Sequence, residues 1–181
     1  MLSVVAPCYG CAACIPELVR RLHASLRTLT ESYEIVLVND ASPENDWEMI
    51  SAAAREDGRV KGVDLSRNFG QHHAITAGVD FAAGDWVVVM DADLQDQPEE
   101  IPKLYAFANE NGFDIVFGRR ADRHDGFFKK TCSRMFHTVL GRLSDVRVDP
   151  AIANFSIASR LVMDAYRSLR ESSRSHGLDF I

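Results

Sequence analysis

The chain has no basic excess, no long apolar run and no leader-like N-terminus, and each lack closes a class of function. Twenty Lys and Arg against 26 Asp and Glu leave a formal charge of -6 over 181 residues. A protein that coats nucleic acid needs a basic face to neutralise phosphate, so nucleic acid is excluded as its main partner. No stretch approaches the roughly 20 apolar residues of a membrane helix. The opening MLSVVAPCYG lacks the basic flank and apolar core of a secretory signal, so the expected compartment is the cytosol. No G-x-G-x-x-G follows an apolar run and no Walker-type loop occurs, which argues against dinucleotide oxidoreduction and P-loop chemistry.

Cysteine is scarce but clustered. Cys8, Cys11 and Cys14 have the C-x-x-C-x-x-C spacing of part of an iron-sulfur ligand run. The fourth cysteine, Cys132, is distant and no histidine lies near the triplet, so reduced structural thiols are expected instead of a metal cluster.

What is present is one domain's worth of core: 46% of the residues are hydrophobic. Short β-branched runs at Ser3–Ala6, Glu34–Val38, Val60–Leu65, Trp86–Met90 and Asp114–Gly118 read as strands. Between them lie helical patterns. Ile15, Leu18, Val19, Leu22, Leu26 and Leu29 share one helix face, and further patterns cover Trp47–Glu56, His72–Ala83, Pro98–Asn109, Phe127–Leu143 and Arg160–Leu169. Strand and helix alternate, which predicts an α/β fold: an open, mainly parallel twisted sheet with helices on both faces. Residues 1–181 read as a single domain, with 119–181 appended to a sheet formed by 1–118.

In such sheets ligands gather at the carboxyl ends of the strands. The segments that follow the strands are PCYG, NDASPEN, SRNFGQHH, DADLQD and RRADRHDG, so the polar residues collect at one edge. Within VVVMDADLQDQPEE, Asp91 and Asp93 are two apart and point to one side as the strand ends, with small Ala92 between them. Carboxylates held that close suit a divalent cation, Mg or Mn, or a ligand rich in hydroxyls and donors, and Gln95 offers a further oxygen. Asp96 is expected only to cap the helix begun by Pro98.

The succession VVAPCYG, VLVNDASPEN, LSRNFGQHHAITAG and VVMDADLQDQPEEIP resembles the inverting family 2 glycosyltransferases, in the branch of polyprenyl-phosphate sugar transferases that includes dolichol-phosphate mannose synthases. The resemblance spans nearly the whole chain and implies a GT-A fold. It also implies a UDP- or GDP-sugar donor and a metal-bound diphosphate. By that likeness Pro7 and Tyr9 line the nucleotide pocket, with Gly10 and Ser42 beside it, and Asp40 contacts the base. Asp91, Ala92, Asp93 and Gln95 meet the ribose and the diphosphate, Asp93 being the central catalytic carboxylate. Arg67 or Gln71 touches the ligand. The adjacent His72 and His73 diverge by about 100 degrees on a helix and are not expected to share an ion.

Seven Lys or Arg against two Asp between Arg119 and Arg142 form a cationic patch in an acidic chain. In the resembled branch this region faces the acceptor, which assigns Arg120, Arg123, Lys130 and Arg134 to an acceptor phosphate.

Two departures matter. Gly10 stands where the family often has Asn. Asn154, in Ala153-Asn154-Phe155, stands where the family places an Asp as base, and an amide cannot take a proton at neutral pH. Asp149 is the substitute base within reach in sequence. The resemblance therefore implies sugar transfer to a polyprenyl phosphate, undecaprenyl or dolichyl, at the cytoplasmic face of a membrane. Peripheral membrane association would belong to a longer protein whose acceptor side continues beyond Ile181, and a homo-oligomer is left open. Transfer to a glycan hydroxyl in surface-polysaccharide assembly is the alternative within the family. A noncatalytic nucleotide-sugar binding module and a haloacid dehalogenase-like phosphatase are alternatives outside it.

Overall fold

A computed structural model of the chain describes residues 1–119 and 152–172. Strands β1 (Leu2–Cys8), β2 (Tyr33–Asn39), β3 (Val60–Asp64), β4 (Trp86–Val89), β5 (Ile115–Arg119) and β6 (Ile152–Ser159) form one sheet in the order β3-β2-β1-β4-β6-β5. The helices are α1 (Ile15–Leu26), α2 (Asp46–Glu56), α3 (Gln71–Phe81), α4 (Ile101–Asn111) and α5 (Arg160–Ser172), with a 3-10 turn at Pro98–Glu100 leading into α4.

Strand pairing is parallel among β3, β2, β1 and β4, as the alternation requires. The sheet is mainly parallel, as expected, and β6, which the periodicity does not predict, is its antiparallel member. This strand lies antiparallel between β4 and β5, with Val88 beside Ile157 and Val116 beside Ile157 on its other side. Within its sequence, IANFSIAS, only Phe155 to Ala158 alternates large and small residues, and the Ala and Ser content weakens the apolar signal. Phe155 and Ile157 enter the core on one face of the sheet, whereas Ala158 enters it on the other.

The two faces divide the core by the period-2 rule of a strand. Leu2, Val4, Ala6 and Cys8 of β1 face α1, whose Ile15, Leu18, Leu22 and Leu26 are completely buried. Val5, Val36, Val38 and Val87 face α3 and α5 through Ala74, Val79 and Met163. Helix α3 lies unusually close to the sheet: a Cβ on Gly78 would sit 2.4 Å from Val5 Cγ1 and 2.9 Å from Val38 Cγ2. The first turn of α3, which carries Gln71, is thereby set at a fixed height beside the ends of β1 and β2.

At the opposite end of the sheet a buried carboxylate ties strands and loop together. Glu34 Oε1 accepts from Ser3 Oγ at 2.6 Å and from the Ala83 N–H at 2.6 Å, and Oε2 meets Lys61 Nζ at 2.6 Å. Burial pushes its carboxyl up, yet the bonds from Lys61, Ser3 and Ala83 bring it below the ordinary glutamate range.

Candidate active site

The carboxyl ends of β1, β2 and β4 and the start of α3 surround a cleft of about 400 Å³, lined by Pro7, Cys8, Tyr9, Cys11, Asp40, Asn68, Gly70, Gln71, Asp91, Ala92 and Asp93. Its size falls in the range of small-ligand sites.

The first loop follows β1. Tyr9 is 54% exposed, so a large aromatic face stands at the rim where a flat ligand can stack. Gly10 takes φ +67° and donates its N–H to Ser42 Oγ at 3.0 Å, joining the first loop to the second. Cys8 is buried in the core and Cys11 is almost so. The Cys8 thiol is held well above its ordinary range, first by its contact with Cys11 and then by burial, which makes it an inert thiol. Cys11 directs its N–H and its thiol to Asp46 Oδ2, at 3.1 and 3.4 Å. Among the described residues no group of three His, Cys, Asp or Glu is arranged to hold a metal ion.

The second loop carries Asp40, only 4% exposed at the cleft floor. Its Oδ1 accepts the Phe69 N–H at 2.8 Å and its Oδ2 the Gly70 N–H at 2.9 Å. The next residue, Ala41, is left-handed at φ +50°. Gly70 precedes α3 at φ +91° and ψ 156°, a region that side chains other than glycine scarcely enter. Gln71 begins the helix inside the cleft, and His72 and His73 that follow are exposed.

The third contribution is DADLQD. Asp91 Oδ1 accepts from Gln71 Nε2 at 2.6 Å. The Asp91 N–H donates to Asp96 Oδ2 at 3.2 Å, and the Gln95 N–H to Asp93 Oδ1 at 3.0 Å. Asp96 is thus a buried tie that closes the loop on itself. Leu94 is left-handed at φ +63°, a costly conformation for a bulky side chain, and it lies between Asp93 and Gln95 at the cleft mouth.

Of the residues expected from sequence, Pro7, Tyr9, Asp40, Gln71, Asp91, Ala92 and Asp93 meet in the cleft. Gly10 and Ser42 stand beside it as a bonded pair. Gln95 lies on the exposed turn outside the lining, and Arg67 is exposed with its guanidinium 4.6 Å above the Phe69 ring. Cys8, Cys11, Asn68 and Gly70 line the cleft without having been expected there. Arg120, Arg123, Lys130, Arg134 and Asp149 lie outside the described residues. Asn154 falls within β6, but its side chain is also outside them.

Residues 3–164 match the model of glycosyl transferase family 2, and the chain belongs to that family. It is 44% identical over 142 residues to an undecaprenyl-phosphate 4-deoxy-4-formamido-L-arabinose transferase of Yersinia pestis (strain Pestoides F), covering 78% of this chain and 43% of that protein. It is 39% identical over 173 residues to the protein of the same name from Proteus mirabilis (strain HI4320), covering 95% and 53%. The chain spans about half the length of these curated relatives.

Among solved structures, the mannosyltransferase PcManGT from Pyrobaculum calidifontis in complex with GDP-Man and Mn2+ superposes with a TM-score of 0.65 at 19% identity, over 91% of this chain and 46% of that one. Glucosyl-3-phosphoglycerate synthase from Mycobacterium tuberculosis with Mn2+, UDP and phosphoglyceric acid gives 0.66 at 17% identity, over 90% and 56%. The fold is that of the GT-A glycosyltransferases. No helix among the described residues is long and apolar enough to cross a membrane.

Proposed function

We propose that this chain binds a nucleoside diphosphate sugar in the strand-end cleft and transfers the sugar, with inversion, to a polyprenyl phosphate, undecaprenyl phosphate being the first to test. The observation that carries this reading is the meeting of Asp91 and Asp93 with Tyr9, Asp40 and Gln71 in one cleft. The 44% identity to a protein named for transfer to undecaprenyl phosphate supports the choice of acceptor.

Pro7 and the exposed Tyr9 ring form an apolar wall for a base. Asp40 has about four lone-pair positions on its two oxygens, and the two loop N–H groups use only part of them, so a base N–H finds an acceptor there. Gly10 and Ser42 hold the adjoining turn. The donor set fits a divalent cation: Asp91 and Asp93 are hard oxygen ligands in one cleft, and two protein carboxylates leave positions for diphosphate oxygens and water. Asp91 and Asp93 would hold the ion, with Gln95 as a further oxygen. Such an ion offsets the negative charge that accumulates on the departing nucleoside diphosphate. Mg and Mn both suit these oxygens, and two structural relatives were solved with Mn2+.

On the acceptor side, Asn154 cannot serve as a base. A polyprenyl phosphate needs none, because its phosphate oxygens are already ionised near pH 7. A hydroxyl acceptor would have to rely on Asp149. Arg120, Arg123, Lys130 and Arg134 supply the cations that an acceptor phosphate requires. A lipid acceptor would set the reaction at a membrane surface, for which we propose the cytoplasmic face.

The test supplies detergent-dispersed undecaprenyl phosphate and radiolabelled UDP- and GDP-sugars, 4-deoxy-4-formamido-L-arabinose among them, and follows label into the organic phase. Lipid-soluble label that requires the acceptor is the expected result. Label only on a glycan acceptor would move the assignment to hydroxyl transfer, and tight nucleotide binding with no transfer to either would make the chain a binding module.

A further inference from the structure

Asp91 and Gln71 are 20 residues apart and come from different elements, yet their side chains meet at 2.6 Å. A carboxylate only accepts, so the atom of Gln71 that faces it is the amide nitrogen. The backbone that carries Gln71 is fixed on both sides. The Gly70 N–H and the Phe69 N–H are both gripped by Asp40, Gly70 is fixed at φ +91°, and the N–H groups of His73 and Ala74 return to the Gly70 carbonyl at 3.0 and 3.1 Å. From the other side, the backbone of Asp91 is tied to buried Asp96 at 3.2 Å. A continuous chain of contacts thus runs across the cleft floor from Asp40 through Gly70 and Gln71 to Asp91.

We propose that Gln71 is a positioning residue, whose amide holds the Asp91 carboxylate in the orientation that meets the cation and diphosphate, and that Asp40 sets Gln71 in place by holding the loop before α3. This rests on the reading of the cleft as a metal-assisted nucleotide-sugar site. It differs from a direct contact between Gln71 and the ligand, because Gln71 then acts only through Asp91.

The experiment uses Gln71→Met, which keeps length and loses the donor, and Gln71→Glu, which keeps shape and repels Asp91. Calorimetry measures the affinity of UDP and GDP with and without Mn. The expected result is a metal-free affinity within about twofold of wild type and a Mn-dependent enhancement reduced about 10- to 100-fold, the usual effect of removing a group that orients a metal ligand. An unchanged enhancement overturns the proposal, including where thermal melting shows that a variant is less stable, since that is a merely structural role. An equal loss with and without Mn also overturns it, because Gln71 would then contact the nucleotide itself.

If wild type shows no Mn effect, the metal-assisted reading of the site fails first. A second arm needs no ligand: in 15N-labelled protein the Gln71 side-chain amide resonance is expected to move on Asp91→Ala. A resonance that stays in place removes the Gln71–Asp91 contact, and the proposal with it, whatever the nucleotide does.

Discussion

The carboxylate of Asp40, at the end of β2, holds the backbone of Gly70 at 2.9 Å, 30 residues further along the chain. With the Phe69 N–H on its other oxygen, this single buried side chain fastens the whole loop that precedes α3. The aspartate proposed to contact the base is therefore also a structural anchor, and the two roles have separable consequences.

Replacing Asp40 by Ala leaves the Phe69 N–H without its acceptor and the Gly70 N–H with only Asn68 Oδ1 at 3.0 Å, which should cost about 1–3 kcal/mol in urea unfolding. Gly70→Ala keeps the carboxylate but forces a side chain into a glycine-only conformation, at a similar cost of about 1–3 kcal/mol. Both should weaken nucleotide binding in the folded protein. A Gly70→Ala variant with wild-type stability and affinity would show that the loop does not depend on this conformation.

Glu34 is the corresponding anchor at the far end of the sheet, and Glu34→Ala should destabilise the chain by about 2–3 kcal/mol by stranding the Ser3 hydroxyl and the Ala83 N–H. Its carboxyl is held below the ordinary range in the folded state. The stability it contributes is therefore complete above the unfolded glutamate pKa and is lost as pH falls through that value towards the folded one. Urea unfolding at pH 7 and at pH 3.5 checks both parts: the difference between wild type and variant should shrink at the lower pH.

His23 governs a higher window. Its Nδ1 lies 2.8 Å from the Tyr33 hydroxyl and its Nε2 3.7 Å from Asp57 Oδ2. Burial lowers its pKa below 6.5; Asp57 opposes this, while Arg59 and Arg27 lower it further. The unfolded chain then takes up the proton more readily than the folded one, so stability is full above about pH 6.5 and declines as pH falls through it. Melting temperature followed from pH 7.5 to 5.5 should drop more steeply in wild type than in His23→Gln. Equal slopes would contradict this origin.

How far the sequence reached differs between frame and site. Runs such as EIVLV and WVVVM are too rich in β-branched residues to be anything but strands, and the spacing of Ile15, Leu18, Leu22 and Leu26 fixed α1 and its buried face. The strand β6 is not legible in the sequence, because Ala153, Ser156, Ala158 and Ser159 dilute its apolar signal. In the site, the carboxylates of Asp91 and Asp93 announced themselves by spacing alone. The bonds from Phe69 and Gly70 to Asp40, and from Gln71 to Asp91, did not. They depend on one backbone torsion at Gly70 and on the close approach of α3 allowed by Gly78, which are properties of three-dimensional packing that residue types do not reveal. Gln95, proposed as a further oxygen, lies on the exposed turn beyond the lining, a placement that residue type alone does not reveal.

The most direct measurement is calorimetric titration of UDP and GDP, each with and without Mn, into this chain and into Asp93→Ala. The account predicts binding of one nucleotide in the micromolar range, about -8 kcal/mol, strengthened by Mn and lost in the variant. No binding of either nucleotide to folded protein, or equal binding by the variant, would contradict the assignment of the cleft to a nucleotide sugar.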